Sequence, residues 1–313
     1  MTKIAYYPGC SLLGSSREYD ESLRAIAGPM GFELLQVPDW NCCGASSAHS
    51  LNHELSLALP ARILALSETL GVDEMLVPCA ACYSRLVTAH HDLAESAETR
   101  DRIIEIIGMP YQGTVKPLNI LEFLERHADS FKDKVSKPFE KDVACYYGCL
   151  LVRPPKITKF DRPEDPRTMD NLVELTGATA LDWDFKVECC GASHSISKTD
   201  LVGKLSSKIV GNAVKKGAQA IVVACPMCHS NLDMRRTFIN RAAGRNYTIP
   251  VIYITQAIGL AMGLSEKALG FPRHIVKVKF PEKAKVKAEV KPAVAAAAAA
   301  PAPAAQSEQT EEA

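Results

Sequence analysis

No apolar run in this chain approaches the roughly twenty residues that a helix needs to cross a bilayer. The Ala-rich stretch 295–300 is short and lies between Pro292 and Pro301, so no direct membrane insertion is expected. An excess of either charge is also missing. Thirty-six basic residues balance thirty-six acidic ones, which leaves no basic footprint for nucleic acid. No basic, apolar and cleavable segments precede Cys10, so no signal peptide is expected and the reading is a reducing cytoplasm. The chain has no GxGxxG after its first strand-like run and no Walker A sequence. It therefore offers no nucleotide cradle of either kind. Nor does it carry the Cys-x-x-Cys-x-x-Cys run of ferredoxins. Cysteine is sparse by the standard of a disulfide scaffold: eleven in 313 residues, about 3.5% against more than roughly 8% in small stapled domains. The count is odd, and a chain of this length can bury a core without staples.

What is present is order among those cysteines. Ten of the eleven fall into two copies of one pattern. The first copy is Cys10, then Cys42-Cys43-Gly44, then Cys79-Ala80-Ala81-Cys82. The second is Cys149, then Cys189-Cys190-Gly191, then Cys225-Pro226-Met227-Cys228. The gaps are 31, 35 and 2 residues in the first and 39, 34 and 2 in the second. Sequence around the cysteines repeats as well. Tyr6-Tyr7-Pro8-Gly9-Cys10 parallels Tyr146-Tyr147-Gly148-Cys149, and Cys42-Cys43-Gly44-Ala45-Ser46 matches Cys189-Cys190-Gly191-Ala192-Ser193 residue for residue. Self-similarity of this kind reads as a duplicated domain.

The local patterns agree. Strand-like runs at 4–7 and 143–147 each lead to a cysteine, with helical stretches at 18–30 and 167–175 behind them. Second strands at 34–37 and 179–181 lead toward the Cys-Cys pairs. Helical spacing of apolar residues at 55–70 and 201–216 precedes compact strands at 75–77 and 220–224. Each CxxC follows directly and should open a helix, and the second copy closes with a strand at 251–254 and a helix to 264. Alternating strands and helices predict an α/β fold: two duplicated domains, each with a mainly parallel sheet flanked by helices, related by a pseudo-twofold. The expected boundaries are 1–134, 135–272, and a Lys/Ala/Pro-rich disordered tail at 273–313. That tail has too few large apolar residues to offset the entropy of ordering.

Thiolates hold soft metals and iron–sulfur clusters. Five thiols per set exceed the four of a tetrahedral zinc site, which would leave one idle. A CxxC brings two sulfurs to one ion or cluster edge. Adjacent cysteines can both reach one site only where the backbone turns sharply, which Gly44 and Gly191 permit. Cys145, left over, lies inside an expected strand and reads as a small core hydrophobe.

Cys10…Cys42-Cys43-Gly44…Cys79-x-x-Cys82 and its second copy resemble the CCG, or cysteine-rich, domain. Two copies without another cluster module, together with Tyr146-Tyr147-Gly148-Cys149-Leu150-Leu151-Val152-Arg153-Pro154, are similar to the B subunit of heterodisulfide reductase. The resemblance covers residues 1 to about 272. It implies two noncubane [4Fe-4S] clusters facing one cavity. Cys10, Cys42, Cys43, Cys79 and Cys82 would hold the first, and Cys149, Cys189, Cys190, Cys225 and Cys228 the second. A small-molecule or protein disulfide would enter between them and be cleaved with each sulfur held by an iron. It further implies a ferredoxin-like C-type and a flavin-containing A-type heterodisulfide reductase component as partners.

Disulfide reduction consumes two electrons and two protons. His194, four residues past Cys190, and His229, next to Cys228, are the nearest candidate donors. Two other readings stay open. One is an electron-transfer subunit of an oxidoreductase complex without disulfide chemistry. The other is zinc at one motif or both, in a non-enzymatic assembly factor.

Overall fold

The short apolar runs that precede Cys10, Cys79, Cys149 and Cys225 become the central strands of two sheets. In a computed structural model describing residues 1–45 and 48–282, β1 (Thr2–Tyr6), β2 (Phe32–Gln36), β3 (Glu74–Val77) and β4 (Lys116–Asn119) form one sheet, ordered β2-β1-β3-β4. β5 (Asp142–Tyr146), β6 (Thr179–Ala180), β7 (Ala220–Val223) and β8 (Val251–Tyr253) form the other, ordered β6-β5-β7-β8. Every pairing is parallel: Ile4 faces Leu34 across β1–β2, and Cys145 faces Val222 across β5–β7. Parallel strands covered by helices on both faces are buried and read as continuous apolar runs. β7, Ala-Ile-Val-Val, is buried throughout. Cys145 is fully buried within β5.

Helices of one repeat pack on those of the other in reciprocal pairs. Arg17–Ala27 meets Ile254–Ala261, and Thr168–Glu174 meets Ile120–Arg126. Likewise Ala80–Glu95 meets Pro155–Thr158, and Gly9–Leu13 meets Pro226–His229. Such reciprocity is the mark of a self-complementary, twofold-like interface. Near its centre the Tyr19 hydroxyl donates toward Pro78 O at 3.4 Å and Ala224 O at 3.3 Å. Those carbonyls immediately precede Cys79 and Cys225.

The structure adds or shifts four things. β4 closes the first sheet, yet its sequence Lys-Pro-Leu-Asn carries little strand signal. Pro117 is tolerated there because β4 is an edge strand with one side free of the ladder. β6 is shorter than expected, at two residues. The second CxxC opens only a four-residue helix, Pro226–His229, followed by a π-turn, Ser230–Met234. The expected tail begins later than residue 273. Phe271–Arg273 is a 3-10 turn, His274 is buried, Ile275 N donates to Asp233 Oδ2 at 3.0 Å, and the Phe280 ring meets Phe139 edge-on at 5.1 Å. The disorder expected farther on, at 283–313, lies outside the described residues.

Candidate metal centres at two cysteine sets

In each sheet the strand order reverses direction between the first and third strands, and such switch points open a crevice at the strands' carboxyl ends. Cys10 and Cys79 follow β1 and β3, and Cys149 and Cys225 follow β5 and β7. Topology alone therefore gathers the lone cysteine and the CxxC of each repeat. The Cys-Cys pairs arrive from the loops after β2 and β6. Gly44 and Gly191 turn these loops with φ of +78° and +79°, a left-handed conformation that L side chains resist. Both turns aim the glycine N–H at the first cysteine of the pair: Gly44 N to Cys42 Sγ at 3.5 Å, Gly191 N to Cys189 Sγ at 3.3 Å.

A tyrosine fixes each loop from behind. The Tyr7 hydroxyl donates to Asn41 O at 2.9 Å, and Tyr146 donates to Glu188 O at 2.6 Å. Each carbonyl belongs to the residue just before a Cys-Cys pair. The paired tyrosines of the repeat therefore hold the site, a role not read from the sequence, where they served only as marks of duplication.

All five thiols of each set converge. The Cys43 and Cys82 sulfurs stand 3.2 Å apart. Cys82 also reaches Cys79, Cys43 reaches Cys42, and Cys10 lies close enough to influence Cys42. In the second set Cys149 meets Cys189, while Cys228 meets both Cys190 and Cys225. Cys10, Cys42 and Cys189 are exposed and Cys149 half-buried; the other six are buried. Each set thus has a sealed floor and an open outer side. Sulfur-to-sulfur hydrogen bonds split the thiols. Cys43 is drawn well down by the Cys42 and Cys82 thiols, Cys189 by Cys149, and Cys225 by Cys228. Cys42, Cys149, Cys82 and Cys228 are pushed up in turn. Metal ligation needs thiolates, and the surroundings favour one in the first set, Cys43, and two in the second, Cys189 and Cys225.

The spacing tests the nature of the metal. Four sulfurs around one zinc lie about 3.8 Å from each other, given Zn–S near 2.3 Å. Among the described residues no three cysteine sulfurs lie mutually within 4.8 Å. Five sulfurs at each site are one more than the four that a single zinc takes.

The two histidines fare differently. His194 is half-buried on the turn Ala192–His194, near enough to help draw Cys189 down. His229 is buried against Tyr253, with Nδ1 3.6 Å from Glu18 Oε1 and Nε2 3.3 Å from His274 Nδ1. Burial pushes His229 well down and Glu18 up to about 7, so His229 is uncharged and the contact is not an ion pair. His229, Asp233 and His274 bring three ligand-capable atoms within 4.8 Å, and His229 Nε2 also faces Val251 O at 3.2 Å. Gln256 accepts from Tyr253 N and donates to Leu269 O, both at 2.9 Å, so its amide donates to His274 Nε2 at 2.8 Å. The His274 proton therefore sits on Nδ1, the atom that faces His229. His229 and His274 are bonded to each other, whereas Asp233 accepts from Ile275 N and Val276 N through Oδ2 and its Oδ1 is buried without a hydrogen-bond partner among the described residues. A cavity of about 500 Å³, lined by Lys137, Phe139, Lys141, Leu264 and Phe280 among others, contains neither cysteine set.

The cysteine-rich domain (CCG) family model matches residues 4–87 and 143–233. The chain belongs to this family, in its two-copy form. It is 31% identical over 278 residues to the 8-methylmenaquinol:fumarate reductase membrane anchor subunit of Wolinella succinogenes, covering 88% of this chain and 97% of that one. It is 31% identical over 288 residues to the B subunit of a ferredoxin/F(420)H(2)-dependent CoB-CoM heterodisulfide reductase of Methanosarcina acetivorans, covering 88% and 95%. A solved structure of a hypothetical protein from Helicobacter pylori shares the fold, with a TM-score of 0.73 at 14% identity over 88% of this chain and 52% of that one. These relatives make the chain a subunit of the oxidoreductase type. No helix among the described residues is long and apolar enough to cross a membrane.

Proposed function

We propose that this chain is the disulfide-handling subunit of a heterodisulfide-reductase-like complex. In this reading, Cys10, Cys42, Cys43, Cys79 and Cys82 hold one noncubane [4Fe-4S] cluster, and Cys149, Cys189, Cys190, Cys225 and Cys228 hold another. The convergence of two complete five-thiol sets, on either side of Tyr19, is the observation that carries the proposal. When bound, the clusters supply the two electrons and Lewis-acid irons for sulfur. The reaction balances as one disulfide plus two electrons plus two protons giving two thiols, and runs in reverse for thiol oxidation.

The chain's own residues do the remaining work. The exposed residues Cys10, Cys42 and Cys189 leave an open side for a substrate. His194, bordering Cys189, hands over a proton from the solvent side. His229, sealed behind Cys228, orders Glu18 and His274 instead. Electrons pass through partners, a ferredoxin-like C-type component and a flavin-containing A-type component, and the site of action is the cytoplasm. The Wolinella relative's name favours a second reading, electron transfer without disulfide chemistry.

Oxidation of a reduced viologen by the anaerobically prepared protein separates the two. Disulfide-dependent oxidation of two dye molecules per disulfide, for a panel that includes the CoB-CoM heterodisulfide, is expected. Rapid exchange with the dye and no turnover with any disulfide would support the second reading instead.

A further inference from the structure

The two cysteine sets share a frame but not their hydrogen-bond donors. Gly44 N–H and Gly191 N–H serve the two sets alike. Beyond these, one side-chain donor differs, and it favours the second set.

It lies at the third residue past each CxxC. In the first repeat it is Arg85, half-buried on the uninterrupted helix Ala80–Glu95. In the second it is Asn231, wholly buried in the π-turn Ser230–Met234. π-turns inside helices often mark functional positions. Asn231 Nδ2 donates to Cys190 O at 3.0 Å and reaches Cys190 Sγ at 3.6 Å. The amide cannot be turned round, because Cys190 O only accepts and Ser195 Oγ donates to Asn231 Oδ1 at 2.6 Å. Arg235 Nε in turn holds Ser195 O at 3.2 Å.

A hydrogen bond to a ligating thiolate stabilises the extra negative charge of a reduced centre and raises its reduction potential. We propose that Asn231 makes the two centres unequal, so that an electron entering this chain rests on the second cysteine set in preference to the first. Asn231 is a positioning and tuning group rather than a catalytic residue. The inference rests on the proposed function, since it supposes a redox centre at each set. It deepens that function by giving the pair a direction: the second set is the acceptor end, and the first returns to the oxidised state sooner.

The test is a reductive titration of the anaerobically prepared protein, followed by electron paramagnetic resonance, with iron content measured in parallel. A Cys43→Ser variant, which leaves only the second set complete, assigns the signals. Asn231→Leu keeps the bulk and removes the donor. Two resolved one-electron steps are expected in the unaltered chain, the higher belonging to the second set. Asn231→Leu should lower the second centre's reduced-to-oxidised ratio about tenfold at fixed potential, which is about 59 mV. The first centre and the iron content should stay unchanged. Iron absent from the unaltered protein would sink the functional reading, and this inference with it. Two clusters with one shared potential, or an Asn231→Leu variant that moves both centres or neither, would overturn this inference alone.

Discussion

The first repeat runs its CxxC into a sixteen-residue helix, whereas the second breaks after four residues into a π-turn. Around that difference the frame is conserved in space: strand order, glycine turns, tyrosine anchors and the placing of five sulfurs. What the proposed metal chemistry would demand is thus separable from what each repeat is free to vary. Thiols, and the backbone that gathers them, are held in common. Buried polar support for them is not.

The acids behind the tyrosines give the largest contrast. Tyr6 donates to Asp20, which is served by the surface residue Arg24 at 2.8 Å. Tyr147 donates to Asp170 at 2.6 Å, and Asp170 pairs with Lys186 at 2.7 Å, both buried. Lys186 O also accepts from Tyr147 N and Gly148 N, tying the pair to the Cys149 loop. Removing one partner of a buried pair strands the other charge, so Lys186→Met should cost about 3–5 kcal/mol. Arg24→Ala should cost about 1 kcal/mol or less. Chemical denaturation of both variants checks this, and equal costs would erase the contrast.

The glycines before Cys10 and Cys149 come next. A Cβ on Gly148 would lie 2.7 Å from Cys228 Sγ, and one on Gly9 would lie 3.2 Å from Cys82 Sγ. Both positions have positive φ, which costs an L residue about 1–2 kcal/mol. Gly148→Ala should deplete metal at the second set, and Gly9→Ala should deplete the first set less. Metal analysis decides, and the reverse order would mean that the sulfurs move freely.

The smallest expected effect concerns Glu18, a first-repeat carboxyl lent to His229 of the second. Its counterpart there is Thr168. Burial first, then the Asp233 and Glu21 charges, raises Glu18 from its ordinary 4.5 to about 7, against a backbone hydrogen bond that lowers it. A raised acid favours folding most at low pH, and that benefit is lost as pH climbs from about 4.5 through 7. Glu18→Gln should match the unaltered chain near pH 4.5 and become relatively more stable as pH rises past 7. A pH-independent difference between the two would contradict the assignment.

Much of this was legible in the sequence. Cysteine spacing and the repeated Cys-Cys-Gly-Ala-Ser announced both sets, and apolar runs announced the central strands. What stayed hidden was the work of single contacts. β4 was missed because an edge strand of four residues containing Pro117 carries no periodic signal. Residues 273–282 read as tail by composition, yet His274 and Phe280 pack through particular partners. Asn231 was invisible because its value depends on a π-turn that no local pattern reveals. His229 looked like a neighbour of the chemistry, and only burial showed it to be sealed.

Iron and sulfide analysis of the anaerobically purified chain beside Cys43→Ser and Cys190→Ser is the sharpest test of two independent cluster centres. About eight irons are expected in the unaltered chain, since each set would hold a four-iron cluster. Each variant should lose about half, and only from its own repeat. Stoichiometric zinc with little iron, or loss of all iron from one substitution, would refute the cluster reading.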